Sequence, residues 1–190
     1  MKKNKKNWTG ERLETYIHNE TMVEHLHRYA FALEFVNNKI VLDIASGEGY
    51  GSNILSKNAK KVFGVDVDFP TIEAAKSKYK SSNLKFIQGS ADKIPLADNL
   101  VDVVVSFETI EHHDKHLEMI QEVKRVLKPD GMLIISSPDK RYYTDEPNTK
   151  NPFHVKELYE NEFKALINSY FNYTLYLKQN FLISSIFFST

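Results

Sequence analysis

The chain has no cysteine. Disulfide cross-links are therefore excluded, which is compatible with the cytoplasm, the expected location. It also lacks an excess of charge of either sign: 25 basic and 25 acidic residues give a formal net charge of zero. No global basic field draws it to nucleic acid or to acidic membranes. There is no internal repeat and no low-complexity linker. The lysine-rich start M-K-K-N-K-K-N-W has no apolar stretch behind it, so it is not a secretory signal. Residues 1–10 are expected to form a solvated tail. The C-terminal run F-L-I-S-S-I-F-F is too short to span a bilayer, so no transmembrane segment is expected. Because the chain stops at Thr190 directly after that run, it is expected to be the N-terminal part of a longer parent protein, if one exists. What is present is a 42% hydrophobic composition over 190 residues, which suits one globular domain with a normal core, placed at 11–190.

Apolar spacing marks the elements. Met22, Val23, Leu26, Tyr29, Ala30 and Leu33 recur at helical intervals within 20–36. That pattern predicts an amphipathic helix ahead of the first strand, lying over a ligand pocket. Strands are predicted near 40–44, 61–66, 84–88, 101–106 and 131–136, and helices near 50–57, 70–80, 115–127 and 155–169. Asp114 is placed to cap the helix at 115–127, and Pro129-Asp130-Gly131 to end it. Strands alternating with helices imply an α/β domain with a parallel, doubly wound sheet. The segments 172–178 and 181–188 are expected to add two last strands. The stretch 138–154 is long and polar and carries Pro138, Pro147 and Pro152. Loops of this length are lids or binding segments, unless they are plain surface.

The most informative segment is D-I-A-S-G-E-G-Y-G-S at 43–52, directly after the apolar run Ile40-Val41-Leu42. Its glycines, at 47, 49 and 51, predict a tight turn into a helix. Glycine permits φ > 0 and close approach of a ligand, and helix-start amides offer donors. Such a loop holds a nucleotide-like ligand, but alone it also serves dinucleotides and nucleoside triphosphates. No G-K-[ST] follows, so it is not a P-loop. Asp43 closes the first strand, where a carboxylate can accept from a cationic ligand. Asp66 closes the second, where an acid can accept both hydroxyls of a ribose.

Three further stretches follow in order: G-S-A-D-K-I-P-L at 89–96, V-D-V-V-V-S-F-E at 101–108 and E-V-K-R-V-L-K-P-D-G-M-L-I-I-S at 122–136. With them the chain resembles the class I S-adenosylmethionine-dependent methyltransferases over about half its length. The resemblance implies a Rossmann-like, seven-stranded sheet of order 3-2-1-4-5-7-6 with strand 7 antiparallel. It implies S-adenosylmethionine as methyl donor and S-adenosylhomocysteine as product. It also implies a cofactor site at Asp43, Ala45, Gly47, Gly49, Asp66, Val67, Ser90, Ala91, Asp92 and Phe107. Gly47 and Gly49 would lie against the methionine and ribose, Asp66 on the ribose diol, and the loop 88–92 around adenine. Ser90 stands where many relatives carry an acid, so the adenine amino group would meet Asp92 or Ser90. Phe107 would line the cofactor near its sulfonium or pack in the core.

G-E-R at 10–12, H-L-H-R-Y at 25–29 and N-P-F-H-V-K-E-L at 151–158 resemble methyltransferases of bacterial surface-polysaccharide biosynthesis. On that resemblance Arg28 partners the cofactor's carboxylate and Tyr16 closes the pocket, with surface or helix packing as the other role for both. His25 and His27 are possible substrate contacts.

After the fourth strand comes E-T-I-E-H at 108–112. On a helix, Glu108, Glu111 and His112 would share one face. With His154 from the long loop they make a candidate set for a divalent cation, Mg²⁺ or Mn²⁺ rather than structural zinc. A similar E-x-x-E-H with a distant histidine occurs in ubiquinone-pathway O-methyltransferases and plant small-RNA 2′-O-methyltransferases, where it binds a divalent ion. Two other readings stand beside it: His112 as a metal-free general base, with Glu111 alongside, or a structural cluster. His113 and His116 are expected to face solvent.

The resulting expectation is an O-methyltransferase acting on a sugar hydroxyl, with a nucleotide-linked sugar or glycan as acceptor in capsule or lipopolysaccharide synthesis. Lys140, Arg141, Tyr142 and Tyr143 would meet a diphosphate and a base, or form a solvated loop. The alternatives are a metal-independent quinone- or polyketide-type enzyme using His112, a nucleic-acid methyltransferase, and an inactive binding domain. Zero net charge without a basic-aromatic stripe speaks against nucleic acid.

Overall fold

A computed structural model describes residues 20–180. The tail at 1–10, Tyr16, the G-E-R segment and the strand expected at 181–188 lie outside the described residues. Five strands form one wholly parallel sheet: β1 (Ile40–Ile44), β2 (Lys61–Asp66), β3 (Leu84–Gln88), β4 (Val101–Phe107) and β5 (Leu127–Ser136), in the order β3-β2-β1-β4-β5. The helices are α1 (Glu20–Leu33), α2 (Tyr50–Leu55), α3 (Phe69–Lys78), α4 (His116–Val126) and α5 (Glu160–Asn168). Among the described residues no helix is long and apolar enough to cross a membrane.

Successive side chains along a strand point to opposite faces, and both faces of this sheet are covered. Val41, Val103 and Val105 pack with Tyr29, Ala32 and Val36 of α1 and its C-terminal extension, and with Leu55 of α2. Leu42, Ile44 and Val104 pack on the other side with Met119, Val123 and Val126 of α4. A smaller cluster of Ile72, Ala75 and Phe86 seats α3. Because all strands run the same way, their carboxyl ends and following loops gather at one end of the sheet, where ligands bind in open α/β folds.

Several expectations are corrected. The seven-strand order is not seen: 172–178 is not a strand, and five parallel strands are present among the described residues. Its polar groups go elsewhere. Tyr176 bonds to Asn168 and Lys178 to Glu160 on α5, while Gln179 bonds to the Glu24 carbonyl on α1. Tyr173, Leu175 and Leu177 are left exposed. The buried face of α1 is Met22, Tyr29 and Ala32, with Val23, Leu26 and Ala30 exposed, because Tyr29 fixes the helix rotation. Its ring meets Phe107 and Tyr50 edge-on, at 5.0 and 5.5 Å. Asp114 does not cap α4, which starts after Lys115 with no side-chain cap. Asp68 does cap α3, accepting from the Thr71 amide at 3.1 Å. Pro129-Asp130-Gly131 lies inside β5 as a bulge: Val101 pairs with Leu127 but Val103 with Met132. α5 begins at Glu160 rather than 155; the amides of Val155 and Lys156 bond to the Glu111 carbonyl at 2.9 and 3.1 Å, and at the helix start the Tyr159 amide donates to the Glu162 carboxylate at 3.0 Å.

Candidate active site

The glycine loop leaves β1 and is closed by β2. Asp66 Oδ2 accepts from the Gly47 amide and Oδ1 from the Asp68 amide, each at 2.9 Å. One carboxylate thus ties the first and second strand-end loops together, and each of its oxygens can accept more than one bond. Gly47 has φ +52, and a Cβ there would meet nothing within 4 Å among the described residues, which leaves its face open to a ligand on that side. Gly49, at φ +81, is turned inward, where a Cβ would come 2.4 Å from the Phe86 ring. Of the two glycines expected against the cofactor, only Gly47 presents open backbone. Ala45 is also left-handed, at φ 55.

Asp43 is fully buried behind this loop. Its carboxylate accepts from Tyr29 Oη at 3.0 Å and from Ser52 Oγ at 2.6 Å. The acid expected to meet a cationic ligand is therefore held by two hydroxyls of the chain. Burial pushes it up to about 7, against the bonds from Ser52 and Tyr29 that pull it down. A raised folded value means that the native state keeps a proton that the unfolded chain has lost. The resulting stability is complete below about pH 4 and is lost as pH rises through about 7. Relative to Asp43→Asn, the wild type should lose roughly 2–3 kcal/mol between pH 5 and pH 7, read by urea unfolding without cofactor. Parallel stability curves for the two proteins would contradict this.

The remaining expected cofactor residues are spread around the rim. Val67 is 65% exposed at the end of β2. Ser90 bridges to Lys93, and Ala91 packs against the α4-side core. Asp92 is paired with Lys115 at 2.6 Å, and the Lys115 bond followed by the Ser90 hydroxyl holds it down at about 2. Phe107 is buried against Tyr29, the core role. Arg28 faces the carboxylate of Glu108 at 3.4 Å, and its Nε donates to Gln179 at 2.6 Å. A cofactor carboxylate bound at Arg28 would have to share it with Glu108. His25 lies close by, its Nδ1 3.1 Å from Tyr50 Oη; burial, then Arg28, push it down to about 3. His27 is 3.2 Å from Gln179.

The acid-and-histidine set after β4 is brought together in part. The segment is a 3-10 turn, Ile110–His112, entered through a left-handed Glu108 at φ 49. The helical face assumed for Glu108, Glu111 and His112 therefore does not exist. Glu108 turns to Arg28 and accepts from Ser136 Oγ at 2.6 Å, outside the cluster. Glu111, His112 and His154 do converge, with ligand atoms all within 4.8 Å of one another. Small side-chain shifts would set them around one ion at ~2.1 Å ligand distances. Glu111 Oε2 is buried with no hydrogen-bond partner among the described residues. Burial, then the Glu108 carboxylate, push Glu111 well above the usual range. A cation would relieve both conditions. The donor set of one carboxylate and two imidazoles fits a divalent ion.

The histidines expected to face solvent do not. His116 is buried with Nε2 2.7 Å from the His113 carbonyl, and His113 Nε2 lies 3.3 Å from Met119 sulfur. One residue went unread in the sequence: Glu157, within 2.5 Å of His154 Nδ1. The H-x-x-E spacing at 154–157 was its only signal.

A parallel sheet with a glycine loop closed on an acid at the end of β2 is an open α/β fold of the kind that binds nucleotide-like ligands at the carboxyl ends of its strands. Residues 42–135 match the family model described as a methyltransferase domain. Over this stretch the chain is similar to S-adenosylmethionine-dependent methyltransferases. A probable S-adenosylmethionine-dependent methyltransferase of Mycolicibacterium smegmatis is 34% identical over 130 residues, 68% of this chain and 50% of the relative. A fatty-acid O-methyltransferase of the same organism is 27% identical over 63% of this chain and 47% of its own length. The chain spans about half the length of the curated relatives it matches. The YcgJ protein of Bacillus subtilis shares the fold, with a TM-score of 0.69 at 24% identity over 76% of this chain and 68% of that one.

Proposed function

We propose that the protein is an O-methyltransferase whose acceptor hydroxyl, on a sugar or nucleotide-linked sugar, is held by a divalent cation on Glu111, His112 and His154. The convergence of these three donors beside the carboxyl end of β4 carries the reading. When bound, the ion would supply a template and Lewis acidity toward a hydroxyl. The chain's own task is to hold the acceptor in line with the methyl group and to exclude competing water. Asp66 and the Gly47 backbone would hold the cofactor separately from the acceptor. His112 donates from Nδ1 to the Phe153 carbonyl at 3.1 Å, so its neutral ring carries its lone pair on Nε2, for an ion or for a proton. The latter is the metal-free alternative.

A cleft of about 300 Å³ is lined by Asp139, Arg141, Tyr142, Tyr159, Glu160, Asn161 and Lys164, and its Arg141 and Tyr142 belong to the same turn as Tyr143, which stacks on His154. Its polar and aromatic walls favour a sugar-bearing acceptor. The fatty-acid relative favours an acyl acceptor instead. Incubating the protein with S-adenosylmethionine, Mg²⁺ and either nucleotide sugars or fatty acids separates the two by the mass gain of one methyl group. A methylated sugar is expected. Methyl esters of the fatty acids with no sugar product would overturn the acceptor assignment.

A further inference from the structure

We infer that Glu157 is a positioning residue, fixing His154 in the one tautomer and ring orientation that serves a cation; this rests on the metal reading above. Glu157 is not itself one of the converging donors. Both of its oxygens are engaged: Oε1 lies 2.5 Å from His154 Nδ1, and Oε2 accepts from Thr144 Oγ1 at 2.6 Å. The side chains of His154 and Glu157 are each only 7% exposed, so water does not compete for this bond. A carboxylate can only accept, so Nδ1 must carry the proton and the neutral ring keeps its lone pair on Nε2. The negative charge behind the ring also makes Nε2 a better donor to an ion.

The ring plane is fixed as well as the tautomer. Tyr143 stacks on His154 with centroids 4.9 Å apart and planes 23° apart, and His112 meets it edge-on at 5.1 Å. Tyr143 and Thr144 both lie in the π-helical turn Arg141–Asp145. That turn thus supplies the stacking ring on one side of His154 and the hydroxyl that orients Glu157. His112 is treated in parallel: its Nδ1 donates to the Phe153 carbonyl. Both imidazoles of the cluster therefore have Nδ1 tied back by an acceptor, which leaves Nε2 as the donor atom in each.

The test is Mn²⁺ binding to the full chain, followed by the resonance signal of the free ion, in the wild type, Glu157→Gln and Glu157→Ala. Loss of an outer-shell carboxylate of this kind should weaken Mn²⁺ binding by roughly 10–100-fold, with Glu157→Ala the more severe. Affinity for S-adenosylhomocysteine should stay unchanged. Glu157→Gln keeps the side-chain volume, so it reports even if Glu157→Ala does not fold. A purely structural role would lower the melting temperature and leave Mn²⁺ affinity at the wild-type value, and that result would overturn the inference while leaving the metal reading in place. Failure of the wild type to bind Mn²⁺ would overturn both.

Discussion

Turnover should fall at least about 10²-fold in His154→Ala, and chelation of the wild type should abolish it, because an ion at this site contributes several kcal/mol of charge stabilisation. The reason lies in how the site is assembled. Glu111 and His112 sit in one 3-10 turn, but the third donor comes from the distant loop. Removing it leaves two donors, too few to hold an ion against water. Binding of S-adenosylhomocysteine should remain near the wild-type level, since the proposed cofactor contacts at Asp66 and Gly47, bonded to each other at the ends of β2 and β1, do not include His154. Mg²⁺ or Mn²⁺ should restore the chelated wild type but not the variant. A metal-free base at His112 makes the opposite forecast: His112→Ala is inactive, His154→Ala is mild and a chelator has no effect. Full activity in excess EDTA would therefore rule the cation out.

Asp66→Ala should weaken S-adenosylhomocysteine binding by about 2–3 kcal/mol, the scale for hydrogen bonds to a charged group, or roughly 30–150-fold in Kd. The structure adds a second route to this loss. Asp66 receives the amides of Gly47 and Asp68, so its removal would free both loops proposed to border the ribose. Titration calorimetry reads the change directly. Unchanged affinity would mean that the ribose lies elsewhere.

Much of the sheet was legible in the residue order. β1 to β4 fall where short apolar runs were read: β1, β2 and β4 are buried on both faces and have little choice but to be apolar, while β3, at the sheet edge, is partly exposed. The glycine loop and Asp66 were legible for a similar reason: left-handed backbone and a strand-end acid leave local marks. The limits appear at the last turn of each argument. Glu108 was assigned to a helical face that its own left-handed conformation prevents. His113 and His116 look like surface residues until α4 packs them. The segment 172–178 alternates like a strand but binds α5 and α1 through Tyr176, Lys178 and Gln179.

By itself, then, the sequence determined the alternation of strands and helices, the glycine loop and the chemical types available after β4. These depend on neighbours in the chain. Tertiary structure alone decided which donors meet. Two amides of the long loop bond to the Glu111 carbonyl and carry His154 to the turn, while Arg28 and Ser136 draw Glu108 away. Glu157 acquires its place only once Thr144 and His154 are folded onto it. Hydrogen bonds between segments far apart in sequence leave no periodicity to read, because they are set by where the packed elements bring the chain, not by spacing along it.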